Sequence, residues 1–97
     1  MDNIQAFDGV LRRMKDIYES KNKDYGSSYS LSPTLLGIPV HVGLLVRITD
    51  KMLRACMLAQ QEGHVKDESL TDTLVDLANY AVLAVMAVES EKSGRDG

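Results

Sequence analysis

Between Leu77 and Val88 only Asn79 and Tyr80 interrupt a run of apolar residues, and at 3.6 residues per turn that run goes all the way round a helix. A helix that is apolar on every side must be covered on every side. Two partner helices from so short a chain cannot do this, so the run predicts self-association through this third long helix. One turn upstream the character changes. Glu68, Asp72, Asp76 and Asn79 fall within roughly 80° of arc, a polar stripe on an otherwise apolar helix. An unpaired carboxylate is costly to bury, so the stripe must face water, a metal ion, basic side chains or a polar ligand.

The 97 residues have room for one domain, 1–97, and a domain of that size leaves much of its surface unburied when it folds alone. Oligomerisation is expected on that ground too. With 5% aromatic residues and no Trp, the core must be built from Leu, Val, Ile, Ala and the five Met, a composition that suits helix packing. The net charge of −3 and pI near 5.2 provide no global basic field and argue against a nucleic-acid polymer as partner, leaving room only for a local basic patch. A single cysteine, Cys56, forms no internal disulfide, and neither a leader nor a long uncharged span is visible. The expected setting is the cytoplasm, without a membrane partner.

Two further helices are legible. From Asn3 to Ser20 the apolar residues Ile4, Phe7, Leu11, Met14 and Tyr18 keep helical spacing, with Asp8, Arg12, Lys15, Asp16 and Glu19 on the other face. Lys21 to Ser30 breaks the period with turn formers and hydroxyls and reads as a loop, Gly26 being free to take a positive φ. Leu31 to Gly43, with two Pro and two Gly, reads as an irregular or short-helical connection. The period returns from about Val42 to Gln61, where Gly63 is expected to close the second helix. Asp67 or Ser69 is expected to cap the third, which continues to about Glu91 before a polar tail, Ser90 to Gly97, expected to fray. No internal repeat or low-complexity segment occurs. The fold class is all-α: a small bundle of three main helices completed by homo-oligomerisation.

Three constellations can carry chemistry. Carboxylates one turn apart can share a hard cation such as Mg²⁺, so Glu68, Asp72 and Asp76 are candidate metal ligands, with Asp50 from the second helix. Acids in a first helical turn also favour the dipole, which explains Glu68 and Asp72 cheaply but not Asp76 or Asn79. Arg47, Asp50, Lys51 and Arg54 form a second stripe within roughly 100° of arc, able to bind a phosphate, to neutralise the acidic stripe across an interface, or simply to face solvent. The Lys21–Ser30 segment is the third. The backbone amides of its Gly/Ser turn, Lys21, Lys23 and the hydroxyls of Ser27 and Ser28 can make an anion cradle, and Tyr25 or Tyr29 can stack on a base, although a hydrophilic turn with docked tyrosines has the same composition. It lacks the spacing of a Walker-type loop. His41 and His64 have no ligand-spaced partner for zinc, Cys56 reads as a small core residue, and the serines have no legible catalytic partners.

Lys23-Asp24-Tyr25-Gly26-Ser27-Ser28, Arg47-Ile48-Thr49-Asp50-Lys51-Met52-Leu53-Arg54, and Glu68-Ser69-Leu70 through Asp76-Leu77-Ala78-Asn79-Tyr80-Ala81 together resemble the small family called nucleotide modification associated domain one, common in bacteriophage genomes. The likeness spans Lys21 to Ala81. That family is distantly similar to the all-α MazG-like nucleoside triphosphate pyrophosphatases, which hold Mg²⁺ with carboxylates on two helices. Their pattern is Glu-x-x-Glu on one helix and Glu-x-x-Asp on the next. Here the first spacing holds Arg47 and Asp50, and the second Ser69 and Asp72, or Thr73 and Asp76.

The favoured expectation is a binding protein. Lys21, Lys23, Asp24, Tyr25, Ser27, Ser28, Arg47, Lys51, Arg54, Asn79 and Tyr80 would line an oligomer pocket that captures a phosphate-bearing nucleotide without any cofactor. In a phage setting such a protein would act in the host cytoplasm as a sponge for an immune signal of cyclic-nucleotide or ADP-ribose type. The alternative is a Mg²⁺-dependent triphosphate pyrophosphatase using Asp50, Glu68, Asp72 and Asp76. A third reading makes the opposed stripes a charge network that sets register between helices.

Overall fold

The computed structural model describes the backbone of residues 2–25 and 28–96, and the side chains of 2–21, 29–30, 32–63 and 68–92. Every element is helical: α1 (Asn3–Tyr25), a 3-10 turn (Ser28–Ser30), α2 (Leu31–Leu36), α3 (Val40–Ala59) and α4 (His64–Asp96). The all-α reading therefore holds, with no strand among the described residues. α3 and α4 are the second and third long helices of the sequence.

α1 starts where Asp2 can cap it, Oδ1 accepting from the amide of Ile4 at 2.9 Å. It does not stop at Ser20. Lys21–Tyr25, read as loop, continues the helix, since nothing before Gly26 breaks it and lysines near a helix C-terminus favour the dipole. α2 ends at Gly37, whose φ of 72° lets its amide and that of Ile38 reach back to the Thr34 and Pro33 carbonyls. Gly43, in the first turns of α3, faces the buried Pro33 ring so closely that a Cβ there would lie 2.4 Å from Pro33 Cγ. Only glycine lets α2 dock this tightly on α3.

α3 ends at Ala59 on tight reverse bonds from the Gln60 and Gln61 amides, rather than at Gly63. Gly63 instead takes a φ of 103° immediately before α4, so α4 begins at His64, ahead of the Asp67 or Ser69 caps expected for it. The polar tail continues it to Asp96. At 33 residues α4 is about 50 Å long, and it sets the 48 Å long axis of the molecule.

α3 and α4 pack as an antiparallel hairpin. Two cross-links show the direction, since His41 meets Glu91 near one end and Lys51 meets Asp76 further along. The core is correspondingly narrow: Leu44, Ala55 and Leu58 from α3, Val75 and Leu83 from α4. Buried Thr73 meets its need by donating to the Ser69 carbonyl at 2.8 Å. Cys56, expected in the core, is exposed on α3. Helical period assigns it to an apolar stripe, but that stripe is not the one facing α4.

Glu91 ties the hairpin shut. Oε1 accepts from the Val40 amide at 3.1 Å, one of the donors that a helix start leaves unpaired, and Oε2 accepts from His41 Nδ1 at 2.5 Å. A carboxylate at a helix N-terminus also meets the positive end of the dipole.

Two outcomes follow for chemical denaturation. Gly43→Ala lowers stability by roughly 1–3 kcal/mol because the added methyl strikes a rigid, buried ring, whereas Gly9→Ala, which meets open space inside α1, raises it by roughly 0.5–1 kcal/mol. Glu91→Ala strips the start of α3 of its acceptor, with an expected loss of about 1–2 kcal/mol in the same urea titration.

Candidate functional site

Three members of the acidic stripe turn toward α1. Asp72 pairs with the Arg13 guanidinium, Asp76 Oδ1 lies 3.5 Å from Lys21 Nζ, and Asn79 Nδ2 donates to the Met14 carbonyl at 3.1 Å. The stripe is thus the surface that receives α1. Asn79 does so with a neutral amide because its target is a backbone carbonyl, which needs a donor.

Asp76 is the centre of this arrangement. Its second oxygen, Oδ2, lies 3.4 Å from Lys51 Nζ of α3, so one carboxylate holds two ammonium groups from two different helices. The Asp76 side chain is 25% exposed, Lys51 31% and Lys21 57%. Two cations around one anion leave a net charge of +1, and both cations remain open to solvent. Lys21 reaches this point because α1 runs on past Ser20, and Lys51 because it lies on the α4-facing side of α3.

The rest of the basic stripe does not join them. Arg47, Asp50 and Arg54 are exposed on α3 and turn away from the line along which Lys51 meets α4. Glu68 is exposed and lines an open recess of about 460 Å³ with Arg13, Thr71 and Asp72, one turn of α4 from Asp76. Tyr80 is half-buried. Ser27 lies outside the described residues, as do the side chains of Lys23, Asp24, Tyr25 and Ser28; the first three stand on the last turn of α1, directly after Lys21. Asp50, Glu68, Asp72 and Asp76 are not gathered around one point, and among the described residues no three His, Cys, Asp or Glu side chains are placed to hold a metal ion.

Arg13 and the Met14 carbonyl are the contributors that sequence reasoning missed. Arg13 and Lys21 flank the Met14–Ile17–Tyr18 stripe as Asp72 and Asp76 flank α4, which is the signal that matches them. His41, set aside as a zinc ligand, is the partner of Glu91. Below the charged cluster, Leu11, Met14, Tyr18, Val82, Leu83 and Met86 line an apolar groove of about 250 Å³ between α1 and α4.

Residues 21–88, more than two-thirds of the chain, match the family model described as Nucleotide modification associated domain 1. No curated protein and no solved structure matches the chain. The matched span begins at Lys21 and contains Lys51, Asp76 and Asn79, so the two-lysine cluster lies within it. The chain belongs to the Nucleotide modification associated domain 1 family.

Proposed function

We propose that this protein binds a phosphate-bearing nucleotide, and that the phosphate is held by Lys21 and Lys51. The observation carrying this reading is the Lys21–Asp76–Lys51 cluster, with its net positive charge and accessible cations, within the family-matched residues. A lysine ammonium is a compact point charge suited to phosphate. Asp76 keeps the two ammonium groups together when no ligand is present, and a ligand carrying two singly charged phosphates, as a cyclic dinucleotide or an ADP-ribose does, competes with its single charge for them. Lys23, Tyr25, Ser27 and Ser28, next along the chain from Lys21, are the proposed continuation of the site, with Asn79 and Tyr80 on the α4 side. Such capture requires no metal. In a phage setting it makes the protein a sponge for a host signal nucleotide, cyclic or of ADP-ribose type, acting in the host cytoplasm.

Binding is favoured over turnover by how the carboxylates are engaged. Both oxygens of Asp76 face ammonium groups and Asp72 faces a guanidinium, so two of the four candidate metal ligands already have cationic partners. The Mg²⁺-dependent pyrophosphatase keeps one point in its favour, the placement of Asp72 and Asp76 one turn apart on one face.

Titration calorimetry with cyclic dinucleotides, ADP-ribose species and ordinary nucleoside phosphates tests this. At least one is expected to bind, and Lys51→Ala to weaken it about 10- to 100-fold, as loss of a charged hydrogen bond implies. Asp76→Asn separates the two readings. A sponge keeps or gains affinity when the competing anion is neutralised, whereas a pyrophosphatase loses Mg²⁺-dependent pyrophosphate release. Uptake of no nucleotide by the native protein would remove the proposal.

A further inference from the structure

The α3–α4 hairpin has two sides, and α1 covers one of them. Glu91 meets the start of α3, and helical period carried back from it places Ala87, Ala84, Tyr80 and the buried Thr73 on the side of α4 toward α3, while the residues one position earlier (Asp72, Asn79, Leu83, Met86) face α1. Residues one position later lie about 100° round in the other sense. There stand Leu74, Ala81 and Val85, all exposed. α3 repeats the relation: one position after Leu44, Lys51 and Ala55, which line its inner face, come Leu45, Met52 and Cys56, again all exposed. Because the helices are antiparallel, an equal rotation away from their shared contact brings both stripes to the same side. The hairpin therefore presents one continuous apolar face, free of charged residues along both stripes.

We infer that this face packs against the same face of a second copy of the chain, making a four-helix bundle of two hairpins. Three observations select that occupant. Both stripes share one spacing, seven residues then four (45, 52, 56 and 74, 81, 85), which is the repeat by which helices interlock in bundles. A two-fold axis lying in the plane of the face sets hairpin on hairpin with every neighbouring helix antiparallel, so the helix dipoles oppose favourably. The area is also sufficient. The 10.7 kDa chain exposes 7363 Å², about 1,900 Å² more than the roughly 5,500 Å² of a compact monomer of that mass, whereas a stable interface needs about 800 Å² from each partner. Its radius of gyration, 15.4 Å against about 13 Å for a compact chain of this length, reports the same excess. This inference stands apart from the nucleotide reading, since Lys21, Lys51 and Asp76 belong to the contact line and the α1 side.

Light scattering coupled to gel filtration is the first test. The native protein is expected to run at twice 10.7 kDa. Val85→Glu, which places a charge on the face, is expected to run as a helical monomer, while Leu35→Glu on α2 leaves the mass unchanged. Should Val85→Glu fail to fold, alkylation of Cys56 in the native protein reads the same face: slow at high protein concentration and faster on dilution. A monomeric native protein would overturn the inference, as would a dimer indifferent to Val85→Glu whose Cys56 labels at one rate at all concentrations. Residues 68–92 have the length and mean hydropathy, 1.3, of a membrane span. Partition of a solution monomer into phosphatidylcholine vesicles would show that lipid covers the face, and would also overturn the inference.

Discussion

The register between α3 and α4 is the constraint on which the rest of the structure depends. It is set at one end by Glu91 closing the start of α3 and further along by Asp76 meeting Lys51. Beside the Pro33 ring only five aliphatic side chains are buried among the described residues, so packing alone has little with which to oppose a slip. A slip of one residue in α4 would carry Asp76 away from Lys51 and put Val75 or Leu77 in its place, and would exchange Glu91 for Ser90 or Lys92 at the start of α3. Polar pairs contribute little net stability at partly exposed sites, but they are directional, and direction is what a narrow aliphatic seam lacks.

That register gives α4 three separate duties at a spacing of one residue. Contact-line residues meet α3, those before them receive α1, and those after them form the bare face. A helix that meets α3 on one side and α1 on another, and in the proposed dimer a second copy on the third, shows no single apolar stripe, in keeping with the run from Leu77 to Val88 being apolar all round. The polar exceptions sit on the α1 side or the contact line. Asp72 and Asp76 have cations to meet and Asn79 a carbonyl, so each is placed by a named partner.

Periodicity therefore made the three long helices and the all-α class legible, together with the angular position of each charged stripe. It did not identify the neighbour each stripe faces, because period gives an angle on one helix and no information on which helix lies there. That is why the acids were set against Arg47, Asp50 and Arg54 as well as Lys51, when α1 meets most of them and Lys51 alone of that stripe reaches Asp76. The same gap put Cys56 in the core. Boundaries failed for a different reason. Lys21–Tyr25 has turn-forming composition but no residue that forbids a helix, and once a helix is nucleated each further residue adds a hydrogen bond. Gly63 was tied to the preceding helix, whereas its positive φ serves the start of the next.

The helical extension of α1 matters more to the proposed phosphate site than its five residues indicate. As a loop, Lys21 would reach Asp76 only after an entropic cost for ordering the backbone around it. As part of a helix already anchored by Asn79 and Arg13, it is delivered with its backbone fixed, and only side-chain freedom is lost on meeting an anion. The same argument applies to Lys51 on α3. Two cations carried on rigid elements and kept together by one carboxylate are organised before any ligand arrives, which lowers the cost of binding. The bare face lies on the opposite side of the same hairpin, so filling either leaves the other sterically free. Any influence between them must pass through the position of α4, the one element that both share.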